Sequence, residues 1–160
     1  MNAALFSSKK KDYCTPQDLF NKLNEEFNFS LDAAATDKSA KCKKYYTPEC
    51  DGLQNSWEVK SDEAVFCNPP YGRNITGKWV QKAYEEAKNG TTIVLLIPAR
   101  TDTRWFHDYI YGQANIRFLK GRVMFTDEDG NPCRDKNGKP AAAPFPSMIV
   151  IYNGMEGGGY

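Results

Sequence analysis

The sequence predicts an α/β fold with a largely parallel sheet and an antiparallel hairpin at its C-terminal end. The chain has 160 residues, of which 41% are hydrophobic, and this length suits one domain around one core. Residues 64–67 and 92–97 are apolar runs typical of strands buried on both faces. Between them, residues 79–87 carry apolar side chains at helical spacing before a terminating Gly90. Strand, helix and strand in this order form a βαβ unit, and such units build parallel sheets.

A helix and a short strand are expected before this unit. Residues 15–18 combine a capping threonine, a proline suited to the first helical position and an acid that can close a capping box. The apolar residues that follow keep helical spacing: Leu19, Phe20, Leu23 and Phe27. Phe29, Leu31 and Ala33 then alternate with polar neighbours, which predicts a strand that delivers Asp32 at its end.

One helix and three strands are expected after the unit. Asp102 or Thr103 can cap a helix that continues to about residue 110. The strands are expected at residues 116–119, 123–125 and 148–152. Residues 126–146, rich in Gly, Pro, Asp and Lys, join the last two strands and suit a hairpin with a functional or mobile tip.

We expect a single domain over residues 13–152, between a flexible polar arm at 1–12 and a frayed tail at 153–160. The first residues lack the apolar core of a signal peptide, and no apolar run is long enough to cross a bilayer. These features predict a cytoplasmic protein without a membrane partner.

Cysteine usage and net charge exclude several classes of function. The five cysteines are odd in number and contain no C-x-x-C pair, which argues against a disulfide framework and against a zinc site, so no metal is expected. Lys and Arg total 21 against 20 Asp and Glu, so the chain has no global basic field. A nucleic-acid partner would have to be held by local patches.

The most informative motif is the tetrad Asn68-Pro69-Pro70-Tyr71, which directly follows the predicted strand 64–67. Ligand sites of α/β sheets lie at the carboxyl ends of strands. A residue before proline is held extended, so Asn68 is presented at a defined angle, and its side-chain oxygen and the Pro69 carbonyl can both accept hydrogen bonds. Two such acceptors can hold one amino group. Taken alone, the tetrad is equally consistent with a rigid loop that has no chemical role.

The tetrad and its surroundings resemble the amino-methyltransferase superfamily and, more closely, the Dam-like phage adenine-N6 DNA methyltransferase family. The resemblance spans about residues 13–152. It rests on the following segments: Thr15-Pro16, Leu31-Asp32-Ala33-Ala34, Asp51-Gly52-Leu53, the tetrad with Gly72, residues 79–83, residues 96–103, Trp105-Phe106-His107, and Lys120-Gly121-Arg122 with Phe125. It implies a Rossmann-like fold, the cofactor S-adenosylmethionine and methyl transfer to the N6 amino group of adenine in DNA.

The resemblance also implies roles for individual residues. Catalysis would fall to Asn68, Pro69, Pro70 and Tyr71: the Asn68 side chain and the Pro69 carbonyl hold the amine for direct in-line attack, and Tyr71 stacks on a base flipped out of the duplex. The residues implied to contact the cofactor are Thr15, Pro16, Asp32, Ala33, Asp51, Gly52 and Asn68. Asp32 has a second interpretation as a capping or turn residue, because alanines replace the glycine-rich signature usual in the first cofactor loop.

Candidate DNA contacts are basic or aromatic residues near the predicted strand ends: Tyr71, Arg73, Arg100, Lys120, Arg122 and Phe125. The lysine-rich residues 38–44 are either phosphate contacts or a solvated face. A single small domain leaves no room for a separate recognition domain, so residues 126–146 are expected to read the DNA sequence. The expected partner is double-stranded DNA, and no obligate protein partner is implied. His107 is interpreted as a structural or surface residue.

Other functions remain open at this point. The same tetrad serves enzymes that methylate cytosine N4, RNA or a protein glutamine, because any planar amine or amide fits two acceptors. A different class is a catalytically idle DNA-binding module of the same fold, against which the intact tetrad argues.

Overall fold

The computed structural model describes residues 13–154; the predicted arm at 1–12, and residues 155–160 of the predicted tail, lie outside the described residues. In chain order the elements are α1 (Gln17–Phe27), β1 (Phe29–Asp32), β2 (Lys44–Tyr45), β3 (Ala64–Cys67), α2 (Thr76–Lys88), β4 (Thr92–Pro98), a short π-helix (Phe106–Ile110), β5 (Asn115–Phe118) and β6 (Ser147–Tyr152). The predicted α/β class is confirmed.

The strands of the described chain form one mixed sheet in the order β2-β1-β3-β4-β6-β5. Strands β1 to β4 run parallel, whereas β6 runs antiparallel to both of its neighbours, β4 and β5. After β1 the chain moves to β2 on one side of it and then returns to β3 on the other side. This reversal opens a crevice at the carboxyl ends of β1 and β3, the place where α/β sheets bind ligands.

The core lies on both faces of the central strands, and β3 and β6 are buried along their whole length. Phe20 of α1 packs on Phe29 and Phe66, with ring centroids 5.5 and 5.2 Å apart. Helix α2 packs on β4 and β6, and its Trp79 stacks on Trp57. Within residues 13–154, no helix has the length and apolar character needed to cross a membrane.

The predicted capping box at the start of α1 is wrong. Pro16 is the N-cap, no side chain caps the helix, and the Phe20 amide donates to the Pro16 carbonyl at 3.1 Å. The Thr15 hydroxyl does not cap the helix because it is engaged with Asn68. This difference matters because it directs Thr15 towards the end of β3.

The predicted strand at residues 123–125 is also wrong. Val123 and Phe125 are buried, as alternation predicts, but their carbonyls accept from the Ala143 and Cys133 amides at 2.9 and 3.1 Å. These partners belong to the same connection between β5 and β6, so no ladder to the sheet forms. The segment folds on itself because its apolar side chains point into the core while its backbone pairs locally.

Candidate active site

The site is built where β1 and β3 end side by side. Asp32 pairs with Phe66 in the parallel register, and the Ala33 amide donates to the Phe66 carbonyl at 3.0 Å. Asp32 and Asn68 therefore lie at the same edge of the sheet. The two motifs singled out in the sequence, one after each strand, are brought together by this pairing.

Asn68 is almost completely buried, with 1% of its surface exposed, and its amide is held by three residues. Its Nδ2 donates to the Tyr13 carbonyl at 2.8 Å and to Oγ1 of Thr15 at 3.0 Å. Its Oδ1 accepts from the hydroxyl of Tyr71 at 2.5 Å. The donors of the amide are thus anchored to the segment before α1, and its acceptor faces Tyr71.

Tyr71 lies inside an aromatic cluster formed with Tyr13, Phe125 and Phe145, whose ring centroids are 5.8, 6.0 and 5.6 Å away from its own. Its hydroxyl also lies 2.9 Å from the Leu96 carbonyl oxygen, so one proton serves two acceptors. Burial raises the pKa of Tyr71 well above its ordinary value, with smaller contributions from Cys67 and Tyr13. The phenol is therefore held in its protonated, hydrogen-bond-donating form.

A cavity of about 530 Å³ opens beside the tetrad. Its walls include three of the predicted DNA contacts, Tyr71, Arg73 and Arg100, and three further aromatic rings, those of Tyr13, Trp105 and Phe145. The guanidinium of Arg100 lies 5.8 Å from the centroid of the Phe145 ring. Flat aromatic walls with cationic groups at the rim suit a planar, electron-rich ligand near an anionic backbone.

Asp32 organises the turn that follows β1. The residue is 3% exposed, and its carboxylate accepts from the Ala34 amide at 3.4 Å and from the Lys41 amide at 3.0 Å. These contacts support the interpretation of Asp32 as a turn residue. A carboxylate oxygen has more than one acceptor direction, so the same residue can also take a ligand donor.

The turn at Asp51 and Gly52 packs directly against the end of β1. A Cβ atom on Gly52 would lie 2.3 Å from the Ala33 carbonyl oxygen, so only glycine allows this approach. Asp51 has a positive φ of 57°, and its Oδ1 accepts from the Leu53 amide at 3.0 Å. The buried Trp57 indole donates to the Gly52 carbonyl at 2.8 Å and so helps to fix the conformation of the turn.

The connection between β5 and β6 divides into two parts. Its first part is docked: Thr126 pairs with Cys14, Glu128 contacts the Thr36 hydroxyl, and Asp129 lies 3.8 Å from Lys38. Its second part is a small projecting hairpin, where Arg134 pairs with Pro140 and nearly every residue is exposed. This second part, which carries Lys136 and Lys139, is called the tip hairpin below.

The remaining predicted DNA contacts differ in exposure. Lys120 is exposed, and Arg122 is exposed but donates to the Ala143 carbonyl at 3.3 Å. Phe125 is 1% exposed and contacts the rings of Tyr13 and Tyr71. In this arrangement Phe125 supports Tyr71 from the interior of the protein.

Sequence reasoning did not select Tyr13 and Phe145, and it named Trp105 only within the segment Trp105-Phe106-His107. Tyr13 precedes the capping segment by two positions, and Phe145 stands between two prolines in the long connection. In each case the sequence offered one signal, namely an aromatic residue next to or within a segment that the sequence analysis had singled out. Trp105 lies over Gly77, where a Cβ atom would come within 2.9 Å of its ring, and it also forms part of the cavity wall.

Comparison with known proteins gives two matches. The family model described as DNA N-6-adenine-methyltransferase (Dam) matches residues 3–156. A DNA N-6-adenine-methyltransferase of Escherichia phage T1 is 31% identical over 120 residues, which cover 74% of this chain and 48% of the relative. The matched region therefore spans about half the length of that curated relative.

Proposed function

The chain belongs to the DNA N-6-adenine-methyltransferase (Dam) family, and on this basis we propose that it transfers a methyl group from S-adenosylmethionine to the N6 amino group of adenine in DNA. The observation that carries the proposal is the buried Asn68 amide at the end of β3, whose Oδ1 is directed to Tyr71 beside a cavity with aromatic walls. The sheet order supports a Rossmann-like methyltransferase fold, because its switch of direction lies between β1 and β3.

The residues around the crevice fit the cofactor. S-adenosylmethionine offers amino and hydroxyl donors, and the carboxylates of Asp32 and Asp51 are acceptors at the two turns that meet there. The alanine-lined turn and Gly52 keep bulky side chains away from the backbone. Thr15 is hydrogen-bonded to Asn68, and Pro16 follows it in the chain; these two residues complete the set. When bound, the cofactor supplies an electrophilic methyl group on a sulfonium.

Asn68 and Pro69 hold the amine in the proposed reaction. The N6 lone pair is delocalised into the adenine ring, and two carbonyl acceptors favour the pyramidal geometry that frees it for direct in-line attack. Oδ1 of Asn68 becomes available to the amine when the Tyr71 hydroxyl gives up its hydrogen bond to Asn68 and donates only to the Leu96 carbonyl. N6 would gain the methyl group as the bond between that carbon and sulfur breaks, and the methylated nitrogen would then release its extra proton to water, since a carbonyl oxygen is too weak a base to remove it beforehand. Acceleration comes from positioning and fixed dipoles.

The cavity beside Tyr71 accommodates the adenine after it leaves the duplex. Its aromatic walls provide stacking surfaces, and Arg73 and Arg100 at the same cavity provide positive charge for the DNA backbone. Lys120, Arg122 and the tip hairpin add exposed basic groups outside the cavity. The proposed partner is double-stranded DNA, with no obligate protein partner.

Methyl transfer to unmethylated duplex DNA is the direct test. The protein is incubated with labelled S-adenosylmethionine and duplex DNA, with RNA and protein extract in parallel, and digested nucleosides are identified by mass spectrometry. Label in N6-methyladenine from DNA is expected. Label in N4-methylcytosine, RNA or protein would identify a different substrate. Cofactor binding without any transfer would favour the idle DNA-binding module.

A further inference from the structure

Lys41 differs from the other lysines of the 38–44 run because it is only partly exposed and its ammonium is hydrogen-bonded to the Gln17 side chain. Its Nζ donates to Oε1 of Gln17 at 2.8 Å, and its backbone amide donates to Oδ2 of Asp32 at 3.0 Å. Lys43 and Lys44 are exposed. Lys41 therefore joins the turn after β1 to the first residue of α1, directly after Thr15 and Pro16.

The ammonium of Lys41 has donor capacity that the described chain does not use. Gln17 supplies one neutral acceptor, whereas an ammonium carries three donors. Among residues 13–154, no carboxylate forms an ion pair with Lys41. Partial burial lowers the pKa of Lys41, and nearby Cys14 and Asp32 oppose this shift. A partly dehydrated cation with spare donors favours an anionic partner.

We propose that Lys41 binds the carboxylate at the amino-acid end of S-adenosylmethionine. The inference rests on the proposed function and adds a residue to its cofactor site. The amino-acid end of the cofactor carries a carboxylate and an ammonium, and the turn after β1 presents the matching pair of charges, the Lys41 ammonium and the Asp32 carboxylate. Both lie beside the segment that anchors Asn68 through Thr15.

The place of Lys41 favours a small ligand over a DNA phosphate. A phosphate of duplex DNA belongs to a wide double helix, so it contacts exposed side chains, such as those of Lys43 and Lys44. Lys41 is only partly exposed and connects Gln17 to the turn after β1, a position that favours a small carboxylate ligand. Lys38, which precedes Lys41 in the same connection, pairs instead with Asp129.

Calorimetry with two ligands tests the assignment without relying on turnover. S-adenosylhomocysteine carries the amino-acid end, and 5′-methylthioadenosine lacks it. The Lys41→Met variant should bind S-adenosylhomocysteine at least about tenfold more weakly, the usual range for a lost charge-assisted hydrogen bond, with unchanged affinity for 5′-methylthioadenosine. Lys41→Arg should recover part of the loss, because it keeps the charge. Lys43→Met is the matched control and should bind both ligands as the wild type does.

Each other outcome contradicts a defined part of the inference. Equal affinity of Lys41→Met and wild type for S-adenosylhomocysteine overturns the role of Lys41, as does an equal loss for both ligands, which would indicate a structural role. If Lys41→Met bound S-adenosylhomocysteine normally but bound duplex DNA more weakly, measured by fluorescence anisotropy, Lys41 would be assigned to a phosphate instead. If the wild-type protein bound neither ligand, the proposed function itself would fail.

Discussion

The hydroxyl of Tyr71 lies 2.5 Å from Oδ1 of Asn68 and donates a hydrogen bond to it. In the proposed reaction the same Oδ1 accepts from the amine, so Tyr71 occupies the acceptor that the substrate would use. The same hydroxyl lies 2.9 Å from the Leu96 carbonyl. The hydrogen bonds to Tyr13, Thr15 and Tyr71 thus hold the Asn68 side chain in a fixed position. In the proposed reaction, release of the hydrogen bond from Tyr71 is the local rearrangement that frees Oδ1 of Asn68 for the amine.

Removal of the acceptor tests the role of Asn68. Asn68→Ala should lower the rate of methyl transfer by about 10² to 10³, because the missing acceptor acts mainly in the transition state. Asn68→Asp is the matched variant, because it keeps an acceptor oxygen in the place of Oδ1 but replaces the Nδ2 donor to Tyr13 and Thr15 with a second, charged oxygen. Single-turnover rates on duplex DNA, with folding checked by circular dichroism, measure the difference. Near-normal turnover of Asn68→Ala would exclude the mechanism.

Removal of the Tyr71 hydroxyl should cost stability. Tyr71→Phe leaves the aromatic cluster filled but deprives Asn68 and the Leu96 carbonyl of a buried donor, which destabilises by about 1–3 kcal/mol. Urea unfolding measures the free energy. Tyr45→Phe removes an exposed hydroxyl bond to Asp37 and should change stability far less. Equal losses in the two variants would contradict the structural role of the Tyr71 hydroxyl.

Alkaline pH should destabilise the protein through its buried phenols. Burial raises the pKa of Tyr71 and of Tyr152. Above about pH 10 the unfolded chain loses protons that the folded chain retains, so the free energy of unfolding falls by up to about 1.4 kcal/mol per pH unit for each phenol. Urea titrations from pH 8 to 11 measure the slope. Tyr152→Phe should give a shallower decline, and an unchanged slope would count against this linkage.

Gly52 should not tolerate a side chain. In Gly52→Ala the new Cβ meets the Ala33 carbonyl oxygen at 2.3 Å and the Trp79 ring at 3.0 Å, so the turn must move away from β1. We expect a loss of about 1–3 kcal/mol in stability from overpacking, together with weaker binding of S-adenosylhomocysteine. Thermal melts with and without this ligand measure both effects. A variant as stable as the wild type would show that the turn adjusts freely.

The tip hairpin should contribute to DNA binding through its charge. Replacing Lys136 and Lys139 with alanine should weaken binding to all sequences and reduce the slope of log K against log salt by roughly 2, about 0.9 for each phosphate that is no longer neutralised. The control pair Lys60→Ala and Lys88→Ala changes exposed lysines outside the candidate site. Fluorescence anisotropy at several salt concentrations gives the slopes. Identical slopes for both pairs would remove the tip hairpin from the DNA interface.

The sequence predicted well the elements that depend on local patterns, and it predicted poorly the features that depend on contacts between distant segments. Strand β3 was predicted to the residue, and α2 and β4 nearly so, because their apolar patterns are strong and uninterrupted. The capping of α1 was mispredicted because the Thr15 hydroxyl bonds Asn68, which is 53 positions away along the chain. Local sequence carries no signal for such a long-range hydrogen bond.

The aromatic cluster shows the same limit. Tyr71 belongs to a recognisable tetrad, but its partners Tyr13, Phe125 and Phe145 come from three separate segments. Alternation at residues 123–125 correctly indicated burial and wrongly indicated a strand, since burial does not decide where backbone hydrogen bonds go. Predictions from periodicity therefore located the core better than they located the walls of the site.

The division of the connection between β5 and β6 has a use in protein engineering. The Ala141 amide donates to the Cys133 carbonyl at 2.8 Å, so the two ends of the tip hairpin meet. Cassettes from related enzymes could replace residues 134–140 while the docked contacts of Glu128 and Asp129 stay in place. Under the proposed function, libraries built at this junction would vary the residues that face DNA while the sheet and the candidate site stay unchanged.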